Sequence, residues 1–165
     1  MNIAIIYESV TGNTKLLAET IKEVLGENVV YCGTPKYVVE ADCFIVGSWT
    51  DKGQCSEGIR AFLETLDHKT IIYFGTAGFG GSEAYFKALE ERVKTHIHST
   101  NKYLGAFYCQ GRMPETVKKR YISLLHDHPE DKKLQVSLKN YEEALSHPDQ
   151  RDLDNLKEWI KGLIY

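Results

Sequence analysis

Residues 3–14 read Ile3-Ala4-Ile5-Ile6-Tyr7-Glu8-Ser9-Val10-Thr11-Gly12-Asn13-Thr14. The unbroken apolar run from Ile3 to Tyr7 predicts a strand buried on both faces, as in a parallel sheet. From Lys15 to Leu25 apolar residues return at helical spacing, as Leu16, Leu17, Ala18, Ile21, Val24 and Leu25, and Gly26 supplies a stop. Ser9 to Thr14 therefore join the carboxyl end of a strand to the amino end of a helix. Such a helix end leaves backbone N–H groups unpaired and carries partial positive charge, which together make an anion site. Gly12 lets the backbone turn tightly and approach a ligand. Ser9, Thr11 and Thr14 add hydroxyls beyond the one that a helix cap needs. No Lys or Arg lies inside the loop, so a phosphate there would be held by neutral dipoles, as suits a phosphomonoester that stays bound. The spacing is neither G-x-G-x-x-G nor G-x-x-x-x-G-K-[ST], which argues against a dinucleotide site and against ATP hydrolysis.

Working outward, short apolar runs keep alternating with helical patterns, the signature of βαβ units around a parallel sheet. Strands are expected at 28–32, 43–47, 70–74 and 104–109, with helices at 57–66 and 82–93 between them. After residue 109 the alternation stops. Helices are expected at 114–126, with Pro114 in the first turn, at 132–145 and at 152–163. The reading is one α/β domain over 1–165, with a helical insertion at about 111–150 between the fifth strand and the last helix. His126, Asp127 and His128 lack further ligands at metal spacing and read as a polar loop.

A chain of 165 residues with 42% hydrophobic and 26% charged residues suits one soluble domain with a full core. Its formal net charge of −3 gives no reason to expect nucleic acid or a membrane surface as partner. No apolar run has the length to span a bilayer and no secretory leader is visible, so the expected location is cytoplasmic. Cys32, Cys43 and Cys109 fall in or beside expected strands, as small buried hydrophobes. Cys55 falls in an expected loop, open to exposure, and has no resolving partner near in sequence for a redox role.

The pattern [ST]-x-T-G-x-T after the first strand, matched at Ser9, Thr11, Gly12 and Thr14, resembles the flavodoxin family. The resemblance covers residues 1 to about 109 and resumes with the last helix. It implies a flavodoxin-like doubly wound five-stranded parallel sheet, of order 2-1-3-4-5, with helices on both faces and FMN at the carboxyl ends of the strands. It places the FMN phosphate on Ser9, Thr11, Gly12, Asn13 and Thr14. The loops after the third and fourth strands would then bracket the flavin ring, through Ser48, Trp49, Thr50 and Gly53 on one side and Thr76, Ala77, Gly78 and Phe79 on the other. Trp49 is the aromatic expected against the ring. Gly53 would permit a peptide flip toward the flavin, and Phe79 or Tyr85 would cover the ring's other face. The stretches Gly47-Ser48-Trp49-Thr50-Asp51-Lys52-Gly53 and Phe107-Tyr108-Cys109-Gln110-Gly111 resemble a subgroup from anaerobic bacteria, some members of which are associated with reduction of bilirubin-type tetrapyrroles.

Function then divides three ways. The chain is an electron carrier or redox accessory protein serving a partner reductase, an FMN-dependent NAD(P)H or quinone reductase, or a non-redox module that uses the loop for another phosphate. Lack of paired acid–base residues in the ring loops favours the first. Glu8, Asp51, Glu57 and Glu83 are the acidic residues nearest the expected ring, and the modest net charge departs from the strongly acidic carriers of the family. Lys118, Lys119 and Arg120 form a basic step in the insertion, which reads either as an extra helical layer or as a docking surface or lid. Arg112 and Met113 stand where the chain leaves the fifth strand, near the site mouth.

Overall fold

The computed structural model describes residues 1–35 and 39–165. β1 (Ile3–Tyr7) leads through the 8–12 loop into α1 (Asn13–Leu25), and a short 3-10 turn precedes β2 (Val29–Gly33). β3 (Cys43–Asp51), β4 (Gln54–Cys55), α2 (Glu57–Thr65), β5 (Thr70–Ala77), α3 (Glu83–Lys94) and β6 (Lys102–Gln110) follow. α4 (Glu115–Asp127), α5 (Lys132–Ala144) and α6 (Gln150–Ile164) complete the chain. The long strands run β2-β1-β3-β5-β6, all parallel, which is the expected 2-1-3-4-5 order with β4 as an addition off the edge of that path.

Alternation along β1 shows how the core divides. Ile3 and Ile5 pack with Leu17, Ile21 and Leu25 of α1 and with Leu156 and Ile160 of α6. Ala4 and Ile6, pointing to the other face, pack with Ile59 and Leu63 of α2 and Val93 of α3. The sheet is thus covered on both faces, and its central strands carry apolar runs, Cys43 to Val46 and Ile71 to Phe74. Each large aliphatic side chain buried this way contributes about 1.5–3 kcal/mol.

Three expectations change. β3 runs past its expected end at Gly47 and turns back as a hairpin, with Thr50 opposite Cys55 and Asp51 opposite Gln54. Lys52 and Gly53 at the tip have φ of 50° and 78°, the positive pair that a two-residue hairpin turn demands. The hairpin carries Cys55 inward against the α2 face of the core, where it is buried, and burial pushes its thiol up to about 11. The cysteine read as open to exposure is thus a buried core residue. Pro114 sits at the N-cap of α4, one position outside the first turn.

α4 and α5 lie between β6 and α6. α5 buries Tyr141 and Ala144, whereas α4 buries no residue. Asp131 caps α5 by accepting from the N–H groups of Lys133 and Leu134. Asp149 caps α6 in a reciprocal box with Asp152. Among the described residues, no helix is long and apolar enough to cross a membrane.

Candidate functional site

The carboxyl ends of β1, β3 and β5 and the exit of β6 meet at one edge of the sheet, where the doubly wound fold places ligands. The loop after β1 is held from within: Ser9 Oγ accepts from the Gly12 N–H at 3.2 Å. Gly12 is the N-cap of α1 with φ of 90°, and no side chain caps the helix. A Cβ at Gly12 would meet nothing within 4 Å, so the helix end faces open space. The first-turn N–H groups of α1 have no carbonyl partner within the helix.

The side chains of this loop do other work. Asn13 is buried, and its Nδ2 donates to the Arg112 carbonyl at 2.8 Å. Thr11 Oγ1 donates to the same carbonyl at 3.3 Å. Thr14 is buried, and its hydroxyl shares a hydrogen bond with that of Thr76 at 3.3 Å. These bonds tie the loop to the exits of β5 and β6. Gly111 makes the approach possible, since a Cβ there would lie 2.5 Å from Asn13 Nδ2.

Beside the loop opens a cleft of about 540 Å³, a volume typical of cofactor sites. Thr11, Trp49, Thr50, Gly53, Thr76, Gly78 and Phe79, all expected at the site, line it. Of the other expected residues, Ser9, Gly12, Asn13 and Thr14 form and brace the loop, while Ser48 and Ala77 are buried beneath the lips. Ser48 Oγ accepts from the Ser56 N–H at 2.8 Å and donates to the Trp49 carbonyl at 2.7 Å, so it shapes the Trp49 lip from below. The opposite lip carries Phe79, which meets Tyr85 edge-on with centroids 6.2 Å apart. The hairpin tip is held by α3, where Arg92 Nη1 donates to the Gly53 carbonyl at 3.2 Å.

Of the four acidic residues expected near the ring, only Asp51 lines the cleft. Glu8 accepts from Ser56 Oγ at 2.8 Å. Glu57, paired with Arg60, is held below the usual carboxylate range by that hydrogen bond. Glu83 lies in the first turn of α3.

The third wall escaped the list of expected site residues. Gly111, Arg112, Met113 and Pro114, with Val117, Arg120 and Tyr121 of α4, line the same cleft. The position of Arg112 and Met113 after the fifth strand hinted at the first part of this wall. Nothing in the spacing of α4 marks Val117, Arg120 and Tyr121 as cleft residues, because an exposed helix and a cleft wall carry the same mixed pattern.

Comparison with known proteins agrees with this architecture. A model of the flavodoxin domain matches residues 4–161. The flavodoxin-like domain-containing protein BilS of Clostridium symbiosum (strain WAL-14163) is 37% identical, the match covering 97% of this chain and 94% of that one. Oxidised flavodoxin 2 of Bacillus cereus superposes with a TM-score of 0.59 at 19% identity, covering 99% of this chain and 97% of its own. A flavoprotein of Lactobacillus acidophilus NCFM in complex with FMN gives a TM-score of 0.51 at 14% identity, over 65% of this chain and 92% of its own. At such identities the two structures speak for the fold, which is the FMN-binding flavodoxin fold. By the family match along nearly its whole length and the near-complete overlap with BilS, the chain belongs to the flavodoxin domain family.

Proposed function

We propose that this chain binds one FMN in the cleft, works as a single domain in the cytoplasm, and carries electrons to a partner reductase rather than turning over a substrate alone. The observation that carries the reading is convergence: one cleft of cofactor size is lined by two aromatic-bearing lips and by Thr11, the residue next to an uncapped helix end. The residues present fit the group. The open space beside Gly12 would take the phosphate on the first-turn N–H groups of α1, and Trp49 and the Phe79–Tyr85 pair would flank the ring. FMN supplies the redox chemistry when bound; the protein supplies position and electrostatics.

The chain's own residues divide that work. Ser9 holds the loop backbone in its turn, and Thr14 with Thr76 closes the floor behind it. Ser48 sets the Trp49 lip, and Arg92 fixes the Gly53 carbonyl at the hairpin tip. Aromatic side chains at both lips would shield the ring from water and add about 0.5–1.5 kcal/mol beyond area burial. Carriage is favoured over turnover by the lining. Its ionisable side chains are Asp51, Lys52, Tyr85, Arg112, Arg120 and Tyr121, and among the described residues no hydrogen bond joins any two of them. General acid–base work calls for such a coupled pair.

An absorption spectrum of the purified full chain, before and after addition of FMN, tests the reading. Flavin bands are expected in the wild type and are expected to vanish in Thr11→Glu, which sets a carboxylate against the phosphate site. A protein that stays colourless with excess FMN would overturn the assignment. Steady-state oxidation of NAD(P)H by the pure flavoprotein would favour the reductase alternative.

A further inference from the structure

We propose that Arg112 is a ligand of the FMN phosphate and brings to the site the positive charge that the 9–14 loop lacks; this rests on the FMN reading above. Three observations converge on it. First, the main chain of Arg112 is pinned at both ends of its peptide unit. Its N–H donates to the His147 carbonyl at 3.1 Å, and its carbonyl accepts from Asn13 Nδ2 at 2.8 Å and Thr11 Oγ1 at 3.3 Å. The Arg112 backbone is therefore fixed beside the loop, next to Gly111, where a Cβ would lie 2.5 Å from Asn13 Nδ2.

Second, the guanidinium lies on the loop. Arg112 Nη2 donates to the Thr11 carbonyl at 3.4 Å, and Arg112 and Thr11 line the cleft together. That contact engages one edge of the guanidinium, and its other N–H groups remain for oxygens of a phosphate. Third, three of the loop's four polar side chains, all but Ser9, are engaged elsewhere. Asn13 and Thr11 give their hydrogens to the Arg112 carbonyl, and Thr14 shares its hydroxyl with Thr76. The backbone N–H groups of α1 and the Ser9 hydroxyl are then left to meet a dianion, and all are neutral dipoles. A guanidinium matches phosphate geometry with paired N–H donors and holds its charge at any working pH. The residue whose carbonyl occupies the loop's side chains thus offers its own side chain in their stead.

The test compares FMN with riboflavin, which has the same ring and no phosphate, by equilibrium titration of the flavin-free full chain. Arg112→Gln is expected to lose about tenfold or more in FMN affinity while its riboflavin affinity changes by less than about twofold. Arg112→Lys is expected to recover part of the loss, because charge returns without the fork. Lys119→Gln removes a charge from the same helical segment outside the cleft lining and is expected to change neither. Equal losses for FMN and riboflavin in Arg112→Gln would overturn the proposal and leave Arg112 as a brace of the loop. Unchanged affinities would overturn it as well. A wild type that binds FMN separates these outcomes from failure of the underlying reading; a wild type that binds neither flavin would overturn both. Should Arg112→Gln fail to fold, the wild type decides. Added KCl is expected to weaken FMN binding more than riboflavin binding, and an equal salt response would overturn the proposal.

Discussion

β1 is buried at every residue but Tyr7, whereas α4, more than twice as long, buries none. α4 lines the cleft directly, and β1 reaches it only through the loop that follows it, at Val10 and Thr11. β1 draws its place from packing on both faces of the sheet, with Ile3 and Ile5 toward α1 and α6 and Ala4 and Ile6 toward α2 and α3. The segment from Gly111 to Asp149 is placed by hydrogen bonds at its root and by helix–helix contact between α4 and α5. Ile122, Leu124, Val136 and Leu145 remain exposed along it. The difference teaches that this molecule keeps its stability and part of its site in separate places. The sheet provides the energy of folding, and a lightly packed segment provides one wall of the cleft.

That contrast breaks most sharply in the core. Ile45→Ala in β3 is expected to cost about 2–5 kcal/mol in urea unfolding of the flavin-free chain, by lost transfer energy and the cavity left behind. Leu124→Ala in α4 is expected to cost about 0.5 kcal/mol or less, as exposed positions do. Equal losses would refute the division.

The joint between the two regions comes next. Asn13→Ala removes the shorter of the two hydrogen bonds to the Arg112 carbonyl and is expected to cost about 1–2 kcal/mol. It is expected to speed amide exchange in residues 111–121 well before it affects β1. A uniform rise in exchange across the chain would mean that the bond supports the core rather than the wall.

A smaller effect is expected at the hairpin tip. Arg92→Gln frees the Gly53 carbonyl, so amide exchange at Lys52 and Gly53 should quicken while global stability shifts by about 0.5 kcal/mol or less. FMN affinity is expected to fall by about threefold, since a looser lip must be ordered on binding. An unchanged exchange rate at the tip would show that the turn conformation of Lys52 and Gly53 holds itself.

The mildest effect is electrostatic and lies where the two-helix segment meets α6. The Asp149 carboxyl is held below its ordinary range first by hydrogen bonding to the Asp152 N–H and also by His147 nearby. A depressed folded-state value means that Asp149 stabilises the fold above the ordinary aspartate range and loses that contribution as pH falls through the lower folded-state value. Asp149→Ala should therefore be less stable than wild type at neutral pH, with the gap closing in acid. A gap that does not change with pH would mean that the carboxylate's charge plays no part in the cap.

Much of this was legible because it is local. Ile3 to Tyr7, the 9–14 loop and the α1 pattern each declare themselves within a few residues, since burial periodicity and turn chemistry act between near neighbours in sequence. The loops after the third and fourth expected strands also followed, once the strands were placed. The hairpin at Lys52–Gly53 did not, because its short second strand is below the length at which alternation can be read, and with it went the burial of Cys55. The insertion had a lid among its readings, but which α4 residues face the cleft, Val117, Arg120 and Tyr121, was not legible.

The sequence alone therefore determined that a parallel α/β sheet would open with an anion-ready helix end, and it named the residues of that loop. Tertiary structure alone decided what meets the loop: an arginine lying 101 positions further along the chain, whose carbonyl takes the loop's side-chain hydrogens and whose guanidinium rests on Thr11. The reason is physical. Local rules govern how neighbouring residues turn and bury themselves, whereas a contact across such a separation is fixed only when the sheet has set two strand ends side by side.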